Sequence, residues 1–212
     1  MKYATITPFD LNKCRFIMMD FTSANDELMG IDYENQIELS AFVKETLDRH
    51  QAEVGIGGWL EDRIIYSKKE HFQGTDSRNI HLGLDIWVPA GTPIFAPEDC
   101  EVHSFQNNNY HGDYGPTIVL KSLSHGHFYL FGHLSTESLN LLKEGKRISA
   151  DECFASIGDV HENGHWTPHL HFQVIKDMGN YHGDFPGVCS KKDLDSFKES
   201  CLNPYPFVNL PY

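Results

Sequence analysis

The chain has 212 residues, 40% apolar and 22% charged, a composition that builds a globular core rather than a disordered tail. Asp and Glu outnumber Lys and Arg by 30 to 17, a formal net charge of -13, and no basic cluster exceeds Lys68-Lys69 or Lys191-Lys192. Such a surface repels phosphate backbones and argues against nucleic acid as a partner; no apolar run approaches the roughly 20 residues that would span a membrane.

Asn35-Gln-Ile-Glu38 reads as a capping box, opening an amphipathic helix that runs to about His50 with Leu39, Phe42, Val43 and Leu47 on one face. Gly55-Ile-Gly-Gly58 ends that region, and from about Arg63 the pattern turns to short apolar runs punctuated by Gly, Pro, Asn and Asp. Strands are predicted at Ile80–Val88, Cys100–Phe105, Pro116–Leu123, His127–His133, Cys153–Ile157 and His169–Ile175. Short connections favour antiparallel pairing. A helix is expected from Thr136 to Lys143, stopped by Gly145, and another from about Lys192 to Leu202, capped by Ser190 with Asp193. The expected fold is therefore an all-β core of antiparallel sheets with peripheral helices. Its parts are an N-terminal extension (1–62), a β domain (63–176) and a C-terminal extension (177–212).

Residues 1–30 lack a basic start followed by an apolar stretch, and Cys14, Cys100, Cys153, Cys189 and Cys201 are an odd number without a CxxC pair. The expectation is a cytoplasmic chain with reduced thiols and no Cys-based zinc site.

Thirteen histidines prompt a search for metal ligands. In a strand, His169 and His171 point to one face, roughly 6–7 Å apart at about 3.3 Å per residue, so one imidazole can ligate a metal while the other faces its open position. His81 and Asp85 would lie about 13 Å apart on a straight strand, so a shared ion requires a bend, and Gly83 permits one. His133 closes the strong strand run Phe128-Tyr-Leu-Phe131, where working residues often sit. Together these clusters supply two imidazoles and a carboxylate as ligands and two further imidazoles, the donor pattern of a catalytic zinc site with its fourth position open.

The chain resembles the lysostaphin/LytM-type zinc metallopeptidases, a peptidoglycan endopeptidase family with a duplicated-hybrid-motif β fold. The resemblance covers roughly residues 78–176. It rests on His81-Leu-Gly-Leu-Asp85, Val88-Pro-Ala-Gly-Thr-Pro-Ile-Phe-Ala-Pro97, Tyr129-Leu-Phe-Gly-His133-Leu and Pro168-His-Leu-His-Phe172. It implies one zinc ion per chain held by His81, Asp85 and His171, with His133 and His169 as a catalytic pair that does not ligate it. It also implies a peptide or muropeptide substrate with small residues such as Gly or D-Ala beside the scissile amide. Which histidine acts as general base stays open. Gly183-Asp-Phe-Pro-Gly-Val188, with Gly57-Gly58-Trp-Leu-Glu-Asp-Arg63, is similar to peptidase-like segments embedded in large intracellular fusion proteins with aminotransferase-like domains.

A cupin would place a Glu ligand soon after HxH and a further His downstream, whereas His171 is followed by Phe-Gln-Val-Ile-Lys-Asp-Met. The other alternative is a non-catalytic binding or regulatory module acting inside the cell. Such a module usually lacks ligands, and here all five positions are filled. His161 and His165 are expected as exposed loop residues, or else as a second site, and Trp166 as a cleft wall.

Overall fold

The computed structural model describes residues 3–66, 77–140 and 142–210; residues 67–76 of the expected β domain and Leu141 of the expected helix lie outside them. In chain order the elements are β1 (Phe16–Met19), α1 (Asp26–Met29), α2 (Gln36–His50), β2 (Val54–Gly57), β3 (Arg78–His81), β4 (Leu84–Trp87) and β5 (Pro93–Phe95). They continue with β6 (Cys100–Asn108), β7 (Gly115–Ser122), β8 (Phe128–Gly132), β9 (Arg147–Ile148), β10 (Cys153–Ser156), β11 (Leu170–Ile175), β12 (Val188–Ser190), α3 (Leu194–Ser200) and β13 (Cys201–Leu202).

Among the described residues, nine strands form one sheet in the order β1-β2-β4-β11-β8-β7-β6-β9, with β13 also pairing β11. β5–β10 and β3–β12 make two small antiparallel pairs. The β core and its antiparallel character match the expectation; the exception is β1, which runs parallel to β2. Residues on both sides of the β domain thus enter its main sheet, β1 and β2 from before it and β13 from after it.

Strand β11 is the centre of the site. Its neighbours are β4 and β8, and the register sets His171 opposite Asp85 on one side and Gly132 on the other. Leu170, Phe172 and Val174 are fully buried in the main apolar core, while His171 and Gln173 face the opposite way, the period-two alternation of a strand.

Four local expectations need correction. The predicted strand Ile80–Val88 is broken at Leu82-Gly83 into β3 and β4. Helix α2 has its predicted span and Asn35 caps it by accepting from Ile37 N–H, but Glu38 accepts from Asp32 N–H instead of closing the box on Asn35. The expected helix at 136–143 is one short 3₁₀ turn, Thr136–Leu139. Ser135 and Ser138 are committed to Ser156 on β10, and Asn140 is already extended. The C-terminal helix is only Leu194–Ser200, because Cys201 and Leu202 pair with Ile175 and Val174 as a strand.

Candidate metal centre

The bend at Gly83 carries His81 back over β11. A Cβ at Gly83 would stand 2.5 Å from His171 Cε1, so only glycine lets that ring approach. The result is a triangle of donors: His81 Nε2 to His171 Nδ1 is 3.0 Å, His171 Nδ1 to Asp85 Oδ1 is 3.2 Å, and His81 Nε2 to Asp85 Oδ1 is 3.3 Å. A tetrahedral ion with ligands at about 2.0–2.1 Å has edges of about 3.3 Å.

Hydrogen bonding around the triangle fixes what its corners can offer. His81 Nδ1–H donates to Gly58 O at 3.0 Å, leaving Nε2 with its lone pair. Gln173 donates its amide to Pro186 O and presents Oε1, at 3.1 Å, to the Nε2–H of His171, which leaves His171 Nδ1 bare as well. Burial opposes ionisation of Asp85, but the facing charges, Arg63 among them, outweigh it and hold the carboxyl well below its ordinary range. Burial lowers His81 to about 4, so it is neutral near neutral pH. Three electron pairs therefore converge with no proton to share, an arrangement that a cation satisfies and that hydrogen bonding does not.

The two remaining histidines stand beside the triangle and are matched in tautomer. His169 Nδ1–H donates to Thr167 O at 2.7 Å and His133 Nδ1–H donates to Asn163 O at 2.8 Å. Each presents Nε2 as a free lone pair. Their ring centroids are 4.3 Å apart, and His169 Nε2 is 3.9 Å from Asp85 Oδ1. His169 also stacks on Trp87 at 4.2 Å. Burial lowers His169 to about 4; burial, with His169 and His171 nearby, lowers His133 well below the ordinary imidazole value. All five sequence-predicted residues are buried and line one cleft of about 360 Å³.

Trp166 walls this cleft, as expected. His161 and His165 do not join the triangle; both are exposed, and His165 stacks on His111 at 5.2 Å. Sequence reasoning missed Gln173, although it continues the alternation of His169 and His171. It also missed Tyr114, whose hydroxyl lies 3.3 Å from His171 Nε2, and Arg63 and Tyr66, which reach the cleft from before β3. A second His/Glu group, Glu98 with His125 and His127, lies elsewhere and is tied together by Tyr129, which accepts from His127 and donates to Glu98.

Residues 79–182 match the profile of Peptidase family M23. Over 96 residues, 45% of this chain, the sequence is 32% identical to peptidoglycan DD-endopeptidase ShyA and 29% identical to peptidoglycan DD-endopeptidase ShyC, both of Vibrio cholerae serotype O1. The match spans only 20% of the length of each of these relatives. Among solved structures, the catalytic domain of the antimicrobial peptidase lysostaphin from Staphylococcus simulans is similar at 24% identity, over 62% of this chain and 80% of that one, with a TM-score of 0.44. LytU is similar at 25% identity, over 68% and 81%, with the same TM-score.

Proposed function

We propose, from the premise that residues 79–182 belong to peptidase family M23, that this chain is a zinc-dependent metalloendopeptidase that hydrolyses an amide bond in a short peptide or a peptidoglycan-type cross-bridge. The observation that carries the reading is the convergence of three unprotonated donors beside two histidines of matched tautomer. His81, Asp85 and His171 would hold the ion. When bound, zinc supplies Lewis acidity, polarising a carbonyl and acidifying water.

The chain's own residues supply the proton handling. His169, neutral and with Nε2 on the side of Asp85, takes the proton of the attacking water at that atom. Its Nδ1–H bond to Thr167 O strengthens as the ring becomes cationic, and Trp87 keeps the imidazole plane in place. A protonated Nε2 is then a donor that returns the proton to the leaving amine. His133 has the same tautomer and is neutral too, so its Nε2 accepts a hydrogen bond from the attacking water and orients it for His169. Tyr66 and Trp166 meet edge to face at 6.0 Å on the cleft wall.

The reading is tested by incubating the full chain with muropeptides and with Gly- and D-Ala-containing peptides, followed by mass spectrometry with and without chelator. We expect chelator-sensitive cleavage of an amide bond. His133→Ala and His169→Ala should each retain zinc and lose about 10²–10⁴-fold in rate, the usual loss when general acid–base groups around an attacking water are removed. Zinc-dependent cleavage unchanged in both variants refutes the mechanism, and zinc-independent binding of these peptides without cleavage favours a non-catalytic module.

A further inference from the structure

The motif from Gly57 to Arg63 lies outside the matched segment; its Gly58 O accepts from His81 Nδ1–H, but the proton chemistry above uses none of its side chains. Its last residue is unusual. The side chain of Arg63 is completely buried, and its Nη1 donates both to Asp85 Oδ2 and to Tyr66 Oη, the latter at 2.9 Å. Nε donates to Glu61 Oε2 at 2.7 Å, and the guanidinium lies over the rings of Phe21 and Tyr66 at 5.3 and 5.8 Å. Glu61 is itself anchored, its other oxygen accepting from Phe21 N–H at 3.0 Å.

Burying a guanidinium is expensive, and an apolar side chain of similar volume commonly stabilises a fold as well or better. The position therefore calls for a use of the charge and the fork. Asp85 supplies one. Its Oδ1 belongs to the donor triangle, while Oδ2 is tied back by Arg63. A carboxylate with a free second oxygen can swing to grip an ion with both; this one is restrained. Glu61 balances the guanidinium's charge, so the pair holds Asp85 without opposing a cation.

Gly57 makes room for this arrangement. It faces Asp85 across the β2–β4 ladder, and a Cβ there would fall 2.4 Å from Arg63 Nη2. That nitrogen is buried and has no hydrogen-bond partner among the described residues, so the planar fork is wedged against bare backbone.

We infer that Arg63, seated against Gly57, is a positioning residue for the metal site: it ties Oδ2 of Asp85 so that Oδ1 alone reaches the ion and a further coordination position stays free for substrate. The inference rests on the zinc reading above but does not need the reaction. The test uses the full chain and three variants, Arg63→Gln, Arg63→Lys and Gly57→Ala, with fold checked by circular dichroism. Zinc affinity is read by competition with a chromophoric chelator, and coordination by the visible spectrum of the cobalt(II) form.

Arg63→Gln and Gly57→Ala should each weaken zinc about 10–100-fold, the usual effect of losing a partner that orients a ligand. Their cobalt bands should weaken as Asp85 binds through both oxygens and the ion gains a ligand. Arg63→Lys, with the charge but not the fork, should fall between them and the parent. A merely structural role would lower thermal stability and leave the cobalt spectrum as in the parent. If Arg63→Gln fails to fold, Gly57→Ala and Arg63→Lys decide. Parent-like affinity and spectrum in the folded variants overturn the inference while leaving the zinc reading intact; a parent chain that takes up no zinc overturns both.

Discussion

At Gly83 the nearest atoms to an added Cβ would be His171 Cε1 at 2.5 Å, Nε2 at 2.6 Å and Phe172 O at 2.9 Å. Neither a ring pinned by Gln173 nor a strand backbone can retreat that far. Gly83→Ala should therefore push His171 out of the triangle and weaken zinc binding about 10–100-fold, as judged by chelator competition, while the far side of the sheet keeps its fold. Parent-like affinity would show that the ring has room the geometry denies it. Four of the five central residues are legible because HxxxD and HxH are local spacings and Gly83 supplies the necessary bend, and His133 because it closes the strand run Phe128-Tyr-Leu-Phe131. Arg63 was not legible in the same way. It meets Asp85 across 22 positions of sequence, with no spacing rule to connect them. The left-handed backbone of His133, with φ 61°, was equally hidden; a non-glycine residue there costs about 1–2 kcal/mol, accepted where the chain turns out of β8.

Strand β11 carries opposite demands on its two faces. Phe172 is fully buried between Tyr129 and Phe131, whose ring centroids lie 5.9 and 5.3 Å away, while the adjacent His171 serves the triangle. Phe172→Ala should destabilise the chain by about 3–5 kcal/mol, measured by urea denaturation, through lost burial and the cavity left behind. A loss under about 1 kcal/mol would mean that the core can close around the gap. At this scale the long strands and α2 could be read from periodicity and turn residues. Some short partners could not: β1 and β2 have four residues each, and β13 has two. Such segments become strands because a neighbour offers a ladder, information that lies elsewhere in the chain. The overlong helix after Ser135 failed for the same reason, since β10 claims its hydroxyls.

Across the whole molecule, the site concentrates neutral imidazoles in a place water barely reaches. His81 and His169 both titrate at about 4 in the folded chain against an ordinary value of 6.5, with burial the leading cause. Between those pH values the unfolded chain takes up protons that the folded one refuses, so stability declines as pH falls from about 6.5 toward about 4. Asp85, with its depressed pKa, acts in the same direction further into acid. The urea midpoint of chelator-treated protein should thus be lower at pH 5 than at pH 7.5; an equal or higher midpoint at pH 5 would contradict the buried neutral imidazoles. The main sheet adds a different consequence. Strand β2 borders β4, and Arg63 and Tyr66 close on the cleft from ahead of the segment that matches the M23 profile. The unit of kinship is therefore smaller than the working unit. Residues 79–182, transplanted as a cassette into another scaffold, would arrive without the guanidinium behind Asp85 and without one wall of the cleft. A graft that functions must carry the stretch from Val54 to Tyr66 along with it.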